Sequence, residues 1–192
     1  MAENAATPPA GHSVRMIRPH LREIPRAPLP EGFSVRPMRL SEGDLWTDIV
    51  LDAEEWLDLS RDLFEREFGH DKAAVPERCF LLGDADGRAV GTISAWYWKE
   101  ERGPDSGLVH WVAVRPAWQG RGLGKAGLAF ALERLARWHG RALLHTSTQR
   151  LPAVALYLDF GFRPDLRPEG ARAAWAAFRR RLPHPALAGL EL

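Results

Sequence analysis

The chain has 192 residues, 45% hydrophobic and 27% charged, enough for one globular domain with a sizeable core. It has no apolar run near the ~18 residues of a membrane span, no apolar stretch within Met1–Pro30 that reads as a secretory signal, and one cysteine, Cys79, which excludes a disulfide framework and a multi-cysteine metal site. A net charge of +1 excludes an obvious nucleic-acid binder, but it hides a split: Ser41–Asp71 carries 11 acidic residues against Arg61 and Arg66, a local −9.

Met1–Pro30 is Pro-rich and reads as an arm, with the domain proper at residues 31–192. Phe33–Leu40 alternates as a strand. Ser41-Glu42-Gly43-Asp44 resembles a capping box ahead of a helix that turns Leu45, Ile49, Ala53, Trp56 and Leu57 inward. Ser60 caps a second helix, with Leu63, Phe64 and Phe68 inward and Gly69 as its stop. Cys79–Leu82 and Val90–Trp98 are strands joined by a turn at Asp84-Ala85-Asp86-Gly87, and Glu100–Ser106 is a polar loop. Gly107–Val114 is apolar enough for a strand buried on both faces.

A turn-rich loop, Pro116–Gly122, leads into a long helix, Leu123–His139. Ala142–Thr148 is another buried strand. Ala153–Phe160 is a short helix closed by Gly161, and Pro164 keeps the next strand short. Ala171, Ala174, Trp175, Phe178 and Leu182 mark an amphipathic C-terminal helix. This order predicts a mixed α/β single domain.

Gln119-Gly120-Arg121-Gly122-Leu123-Gly124-Lys125 carries the most chemistry. Three glycines at alternate positions let backbone approach a ligand, and the helix start adds N–H groups and partial positive charge. The result is an anion site suited to phosphates, reinforced by Arg121 and Lys125. Gly122-x-Gly124-x-x-Gly127 is not a Rossmann fingerprint, because it starts eight residues past Val114 and no acidic residue follows at ~20 residues. Gly124-Lys125 is not a P-loop, because Ala126 replaces the hydroxyl that would hold magnesium. Taken alone, the loop also fits a plain helix cap.

Its context resembles the GNAT superfamily of acyl-CoA-dependent N-acyltransferases. Gln119, Gly122 and Gly124 fit that family's Q/R-x-x-G-x-G/A pattern. Ala153, Leu156, Tyr157, Gly161 and Phe162 fit its A-x-x-L-Y-x-x-x-G-F pattern, in the expected order. The resemblance covers Phe33 to Pro164. It implies a single GNAT-like domain with a mixed central sheet splayed at the cofactor cleft, helices on both faces and an extra C-terminal helix.

The resemblance implies acetyl-CoA as co-substrate. Its pantetheine would lie along backbone of Val112, Ala113 and Val114 at a strand bulge. Its pyrophosphate would lie on the amides of Gln119, Gly120, Arg121, Gly122, Leu123, Gly124 and Lys125. An amine would attack the thioester directly, without Cys79, and Tyr157 would protonate the leaving thiolate. His110 matches the histidine of the H-x-x-A-V run in the serotonin N-acetyltransferase branch and is the candidate base. His145, Glu100, Glu101 and Asp105 are rivals.

Three departures stand out. Arg150 replaces an Asn that often contacts the cofactor, and could pair with a phosphate instead. A helix follows where the family has a strand pair. The N-terminal arm is extra, a candidate cover for a sheet edge or a homodimer contact.

The −9 segment lies where the family binds its acceptor. Asp52, Glu54, Glu55 and Asp58, with Trp56, Trp96 and Trp98, suggest a cationic amine, on a small molecule or a protein. Solvated helix faces explain the same charge. The competing function is a catalytically silent acyl-CoA-binding module, and O-acylation is a third reading. The seven histidines show no metal-ligand spacing, so neither metal, nucleic acid nor membrane is expected, and the composition suits the cytoplasm.

Overall fold

A computed structural model describes residues 11–97 and 105–191. Trp98, Glu100 and Glu101 lie outside the described residues. The fold is α/β, and the chain divides into two compact units, residues 19–142 and residues 11–18 with 143–191.

The larger unit is built on four antiparallel strands in sequence order: β2 (Ser34–Pro37), β3 (Cys79–Gly83), β4 (Ala89–Tyr97) and β5 (Ser106–Val114). Between β2 and β3 run α1 (Gly43–Ala53), α2 (Leu63–Phe68), a 3-10 segment (Gly69–Ala74) and α3 (Val75–Arg78). After β5 come a 3-10 turn (Pro116–Trp118) and α4 (Leu123–Leu135). Strands β3 and β4 are nearly continuous in apolar residues because both faces are covered. On one face Phe80 meets Phe130 of α4 edge-on at 4.8 Å. On the other, Phe68 of α2 meets Trp96 at 4.9 Å and Trp46 of α1 at 5.1 Å. Trp46 and Phe68 are fully buried, each contributing about 2–3 kcal/mol by leaving water.

The first helix stops earlier than its periodicity predicts. Glu54 turns its carboxylate back to accept the N–H groups of Trp56 at 2.8 Å and Leu57 at 3.1 Å. That ends α1 at Ala53 and leaves Trp56 and Leu57 exposed at 43% and 54%, not inward. The helix start is set by Glu42, not Ser41. The Glu42 carboxylate accepts the Arg39 N–H at 2.8 Å and pairs with Arg36 and Arg39, which hold it far below the usual carboxylate range. Helix α2 ends at Phe68 with Gly69 as its C-cap residue, and a 3-10 segment leads on from there to α3. The long helix ends at Leu135, four residues before His139.

The smaller unit holds β6 (Arg141–Ser147, entering from the larger unit), β1 (Ser13–Arg18) and β7 (Arg163–Pro164), in that spatial order. Its helices are α5 (Leu151–Asp159), α6 (Ala171–Arg181) and α7 (Pro185–Ala188). The arm therefore contains a strand: β1 pairs antiparallel with β7, Met16 opposite Pro164 and Ile17 opposite Arg163. Val14, Met16 and Arg18 point inward, an alternation that the surrounding prolines obscure. Asp165 anchors this pairing through Arg15 at 2.6 Å and Arg167 at 2.7 Å, which hold its carboxyl down at about 2. The C-terminal helix α6 buries Ala171, Ala174, Trp175 and Phe178, as its spacing predicts.

Candidate active site

The register of β4 and β5 breaks at one place. Thr92 pairs with Ala113 and Ser94 with His110, so Trp111 and Val112 together oppose Ile93. This is a β-bulge, one extra residue on β5. Its first residue, Trp111, has φ +48°, a left-handed conformation that glycine usually supplies. Such a backbone costs about 1 kcal/mol or more, and neighbouring groups must hold it. They do: the Trp111 indole N–H donates to Glu67 Oε2 at 2.9 Å, and its ring meets Trp46 edge-on at 5.8 Å.

The same oxygen of Glu67 lies 3.0 Å from His110 Nε2. The side chains of His110 and Glu67 keep 21% and 26% exposure, so both can be reached from solvent. Burial pushes the Glu67 carboxyl up, but hydrogen bonds from His110 and Trp111 outweigh it, and its pKa ends below the ordinary value. Phe68 stands edge-on to the imidazole at 5.7 Å. Helix α2 therefore holds His110 with two consecutive residues.

The glycine loop is open where a phosphate would need it. Gly120 and Gly122 have φ +74° and +83°, and a Cβ at Gly120 or Gly124 would meet nothing within 4 Å. Helix α4 provides no acceptor for the N–H groups of Leu123, Gly124 and Lys125. The Leu123 side chain itself packs inward with Leu82 and Val90. Arg121 and Lys125 are exposed, and the Arg121 guanidinium stacks on Trp118 at 4.8 Å. Gln119 is itself tied down. Its backbone N–H bonds Pro116 O at 3.2 Å, and its side-chain amide donates to Val114 O at 3.0 Å, tying the loop to the end of β5. Val112, Ala113 and Val114 lie on β5 at and after the bulge.

In the smaller unit, Tyr157 is buried on α5, with Phe162 edge-on at 6.0 Å. Burial pushes its phenol pKa up, and the positive charge of Arg150 at the start of α5 pulls it partly back. Arg150 and Tyr157 thus belong to one electrostatic unit. His145 is exposed on β6. Asp105 accepts the Gly140 N–H at 2.8 Å, a structural engagement. Cys79 is fully buried, and burial pushes its thiol up to about 12, far from a nucleophile at neutral pH.

Of the acidic cluster, Asp52 pairs with Arg115 at 2.9 Å and Glu54 is engaged with its own loop. Glu55 and Asp58 stay exposed beside exposed Trp56, whereas Trp96 is core. Among the described residues, no three His, Cys, Asp or Glu side chains are grouped to hold a metal, and no helix is long and apolar enough to cross a membrane.

Sequence reasoning missed Glu67. The signal was present: residues 63, 64, 67 and 68 share one helix face, and a carboxylate among Leu63, Phe64 and Phe68 requires a polar partner.

The sequence profile of the acetyltransferase (GNAT) family matches residues 37–162, a span that includes the bulge, the glycine loop and α5. A mycothiol acetyltransferase of Salinispora arenicola is 33% identical, over 77% of this chain and 50% of that protein. One from Streptomyces bingchenggensis is 32% identical, over 75% and 47%. The chain spans about half the length of these curated relatives. Among solved structures, a GCN5-related N-acetyltransferase from Sphaerobacter thermophilus superposes with a TM-score of 0.61 at 23% identity, covering 80% of this chain and 48% of that one.

Proposed function

We propose that this chain, which belongs to the acetyltransferase (GNAT) family, moves an acetyl group from acetyl-CoA to an amine. The observation that carries the reading is the open glycine loop at the start of α4, directly after a bulged strand. The open space over Gly120 and Gly124, lined by first-turn N–H groups and flanked by Arg121 and Lys125, fits the pyrophosphate of a CoA thioester. The bulge, which breaks the regular β4–β5 register just before Ala113 and Val114, suits the amide groups of pantetheine.

Acetyl-CoA supplies the acyl carbon and a sulfur leaving group. His110 takes a proton from the ammonium form of the acceptor, which is the main form of a lysine-like amine at neutral pH. The neutral amine then attacks the acyl carbon, the C–N bond forms and the C–S bond breaks. Tyr157 gives its hydroxyl proton to the departing sulfur, and its raised pKa keeps that proton in place beforehand. The proton shed by the new amide nitrogen restores Tyr157, and the one on His110 goes to water. Arg150, beside Tyr157, favours the negative charge that develops on oxygen or sulfur. Cys79 takes no part.

The acceptor is a cationic amine met by Glu55 and Asp58 at the exposed end of the acidic segment, with the Trp56 face beside them. The relatives' names make a mycothiol-related amine one arm of an acceptor panel, with polyamines, amino sugars and lysine peptides as the others. The test is release of free CoA thiol from acetyl-CoA with each amine. Turnover with at least one amine, lost in Tyr157→Phe, supports transfer. Tight acetyl-CoA binding without turnover on any amine would make the chain a silent binding module.

A further inference from the structure

His110 has two ring nitrogens, and only one of them can be the base. Glu67 Oε2 accepts the indole N–H of Trp111, a group that only donates. A glutamate is ionised at neutral pH, and an ionised carboxylate accepts and never donates. The His110 Nε2 that lies 3.0 Å from this oxygen must therefore carry a hydrogen. In the neutral ring, the lone pair is then on Nδ1. The ring has little freedom to exchange the two roles, because Phe68, adjacent to Glu67 on α2, stands against it at 5.7 Å.

We infer that Glu67 is a positioning residue that fixes His110 as its Nε2–H tautomer, so that Nδ1 takes the acceptor's proton while Glu67 stays ionised and supports the imidazolium. This rests on the reading of His110 as base. The same carboxylate also clamps the left-handed Trp111, so one oxygen sets both the bulge and the tautomer. The proton moves from the acceptor nitrogen to Nδ1, the Nε2–H bond to Glu67 shortens as the ring becomes cationic, and no proton passes to Glu67.

The tautomer is read directly on the wild-type protein by 15N NMR of labelled histidine above the imidazole titration. The expected spectrum of His110 has a pyrrole-like Nε2 and a pyridine-like Nδ1. The opposite assignment overturns the inference whatever the activity. The kinetic arm is a double-mutant cycle. Glu67→Gln, whose amide oxygen still accepts the Trp111 N–H, should lower kcat about tenfold or more while leaving the acetyl-CoA Kd unchanged. In a His110→Ala background it should cost nothing further in kcat. An equal loss in both backgrounds would assign Glu67 a structural role only and overturn the inference. Full activity of His110→Ala would remove His110 as base, while the NMR assignment would still report whether Glu67 fixes the ring.

Discussion

Gly124→Glu separates ligand binding from folding because the two should move in opposite directions. Gly124 is the second residue of α4, and a Cβ there meets nothing within 4 Å, so the side chain enters without a clash. Replacing glycine in a helix by glutamate gains about 0.5 kcal/mol in propensity. A carboxylate in the first turn gains about 0.5 kcal/mol more from the helix dipole. The sum, about 1 kcal/mol, should raise the thermal midpoint of the ligand-free protein by about 2–4 °C for a chain of this size. Binding should fail for the same reason. A carboxylate ~5 Å from a pyrophosphate charge, at an effective dielectric of ~20, is repelled by about 3 kcal/mol. Salt screening reduces this, leaving at least about 1.4 kcal/mol, a tenfold loss in acetyl-CoA affinity. Calorimetric titration beside a melting curve reads both quantities, and Gly124→Ala, which the family pattern tolerates, is the control that keeps binding. A stabilised Gly124→Glu protein with unchanged affinity would refute the pyrophosphate assignment.

Tyr157→Phe should lower kcat by about 100-fold or more at unchanged acetyl-CoA affinity, because the ring still packs on Phe162 and only the proton donor is lost; steady-state thiol release measures it. Since burial raises the Tyr157 pKa in the folded state, its stability contribution is present below the unfolded phenol's ~10 and declines as pH rises beyond it, which denaturant titration at pH 9 and above will register. Asp165 shifts the opposite way. Its pKa of about 2, against ~3.9 unfolded, gives about 2–3 kcal/mol that is present above pH ~4 and lost as pH falls towards 2. Asp165→Ala should cost about 3 kcal/mol at pH 7 by stripping Arg15 of its buried partner, and should flatten the acid limb of the stability curve. Cys79→Ala should leave kcat unchanged, and the native thiol should resist alkylation until the protein unfolds, as a thiol-reactive dye can report.

The α/β architecture, the glycine loop and the short helix carrying Tyr157 were legible because each is written in local periodicity or spacing. The C-terminal helix was legible for the same reason, since Ala171, Ala174, Trp175 and Phe178 keep one buried face. What escaped was set by contacts distant in sequence or by single side chains. Strand β1 is six residues long in a proline-rich stretch, and it is defined by pairing with β7 some 150 residues away. The end of α1 depends on the Glu54 carboxylate turning back on its own loop, so Trp56 and Leu57 kept the helical spacing but not the helix. The bulge was expected from the resemblance. The left-handed Trp111 was not, because nothing in VHWVAV marks a residue whose backbone is held by a glutamate 44 positions earlier. The bond by which the Gln119 side chain ties the loop to Val114 was not written in the motif either.

The most direct test of acetyl-CoA as the ligand is the thermal midpoint of the wild-type chain with acetyl-CoA, with CoA and NADH alongside. At ~100 times its Kd a ligand of the folded state adds about 2.7 kcal/mol, which for 192 residues is a rise of about 5–11 °C. The account predicts that rise with acetyl-CoA and CoA and none with NADH. An unmoved midpoint with both CoA species would contradict it, and would leave the glycine loop as a helix cap.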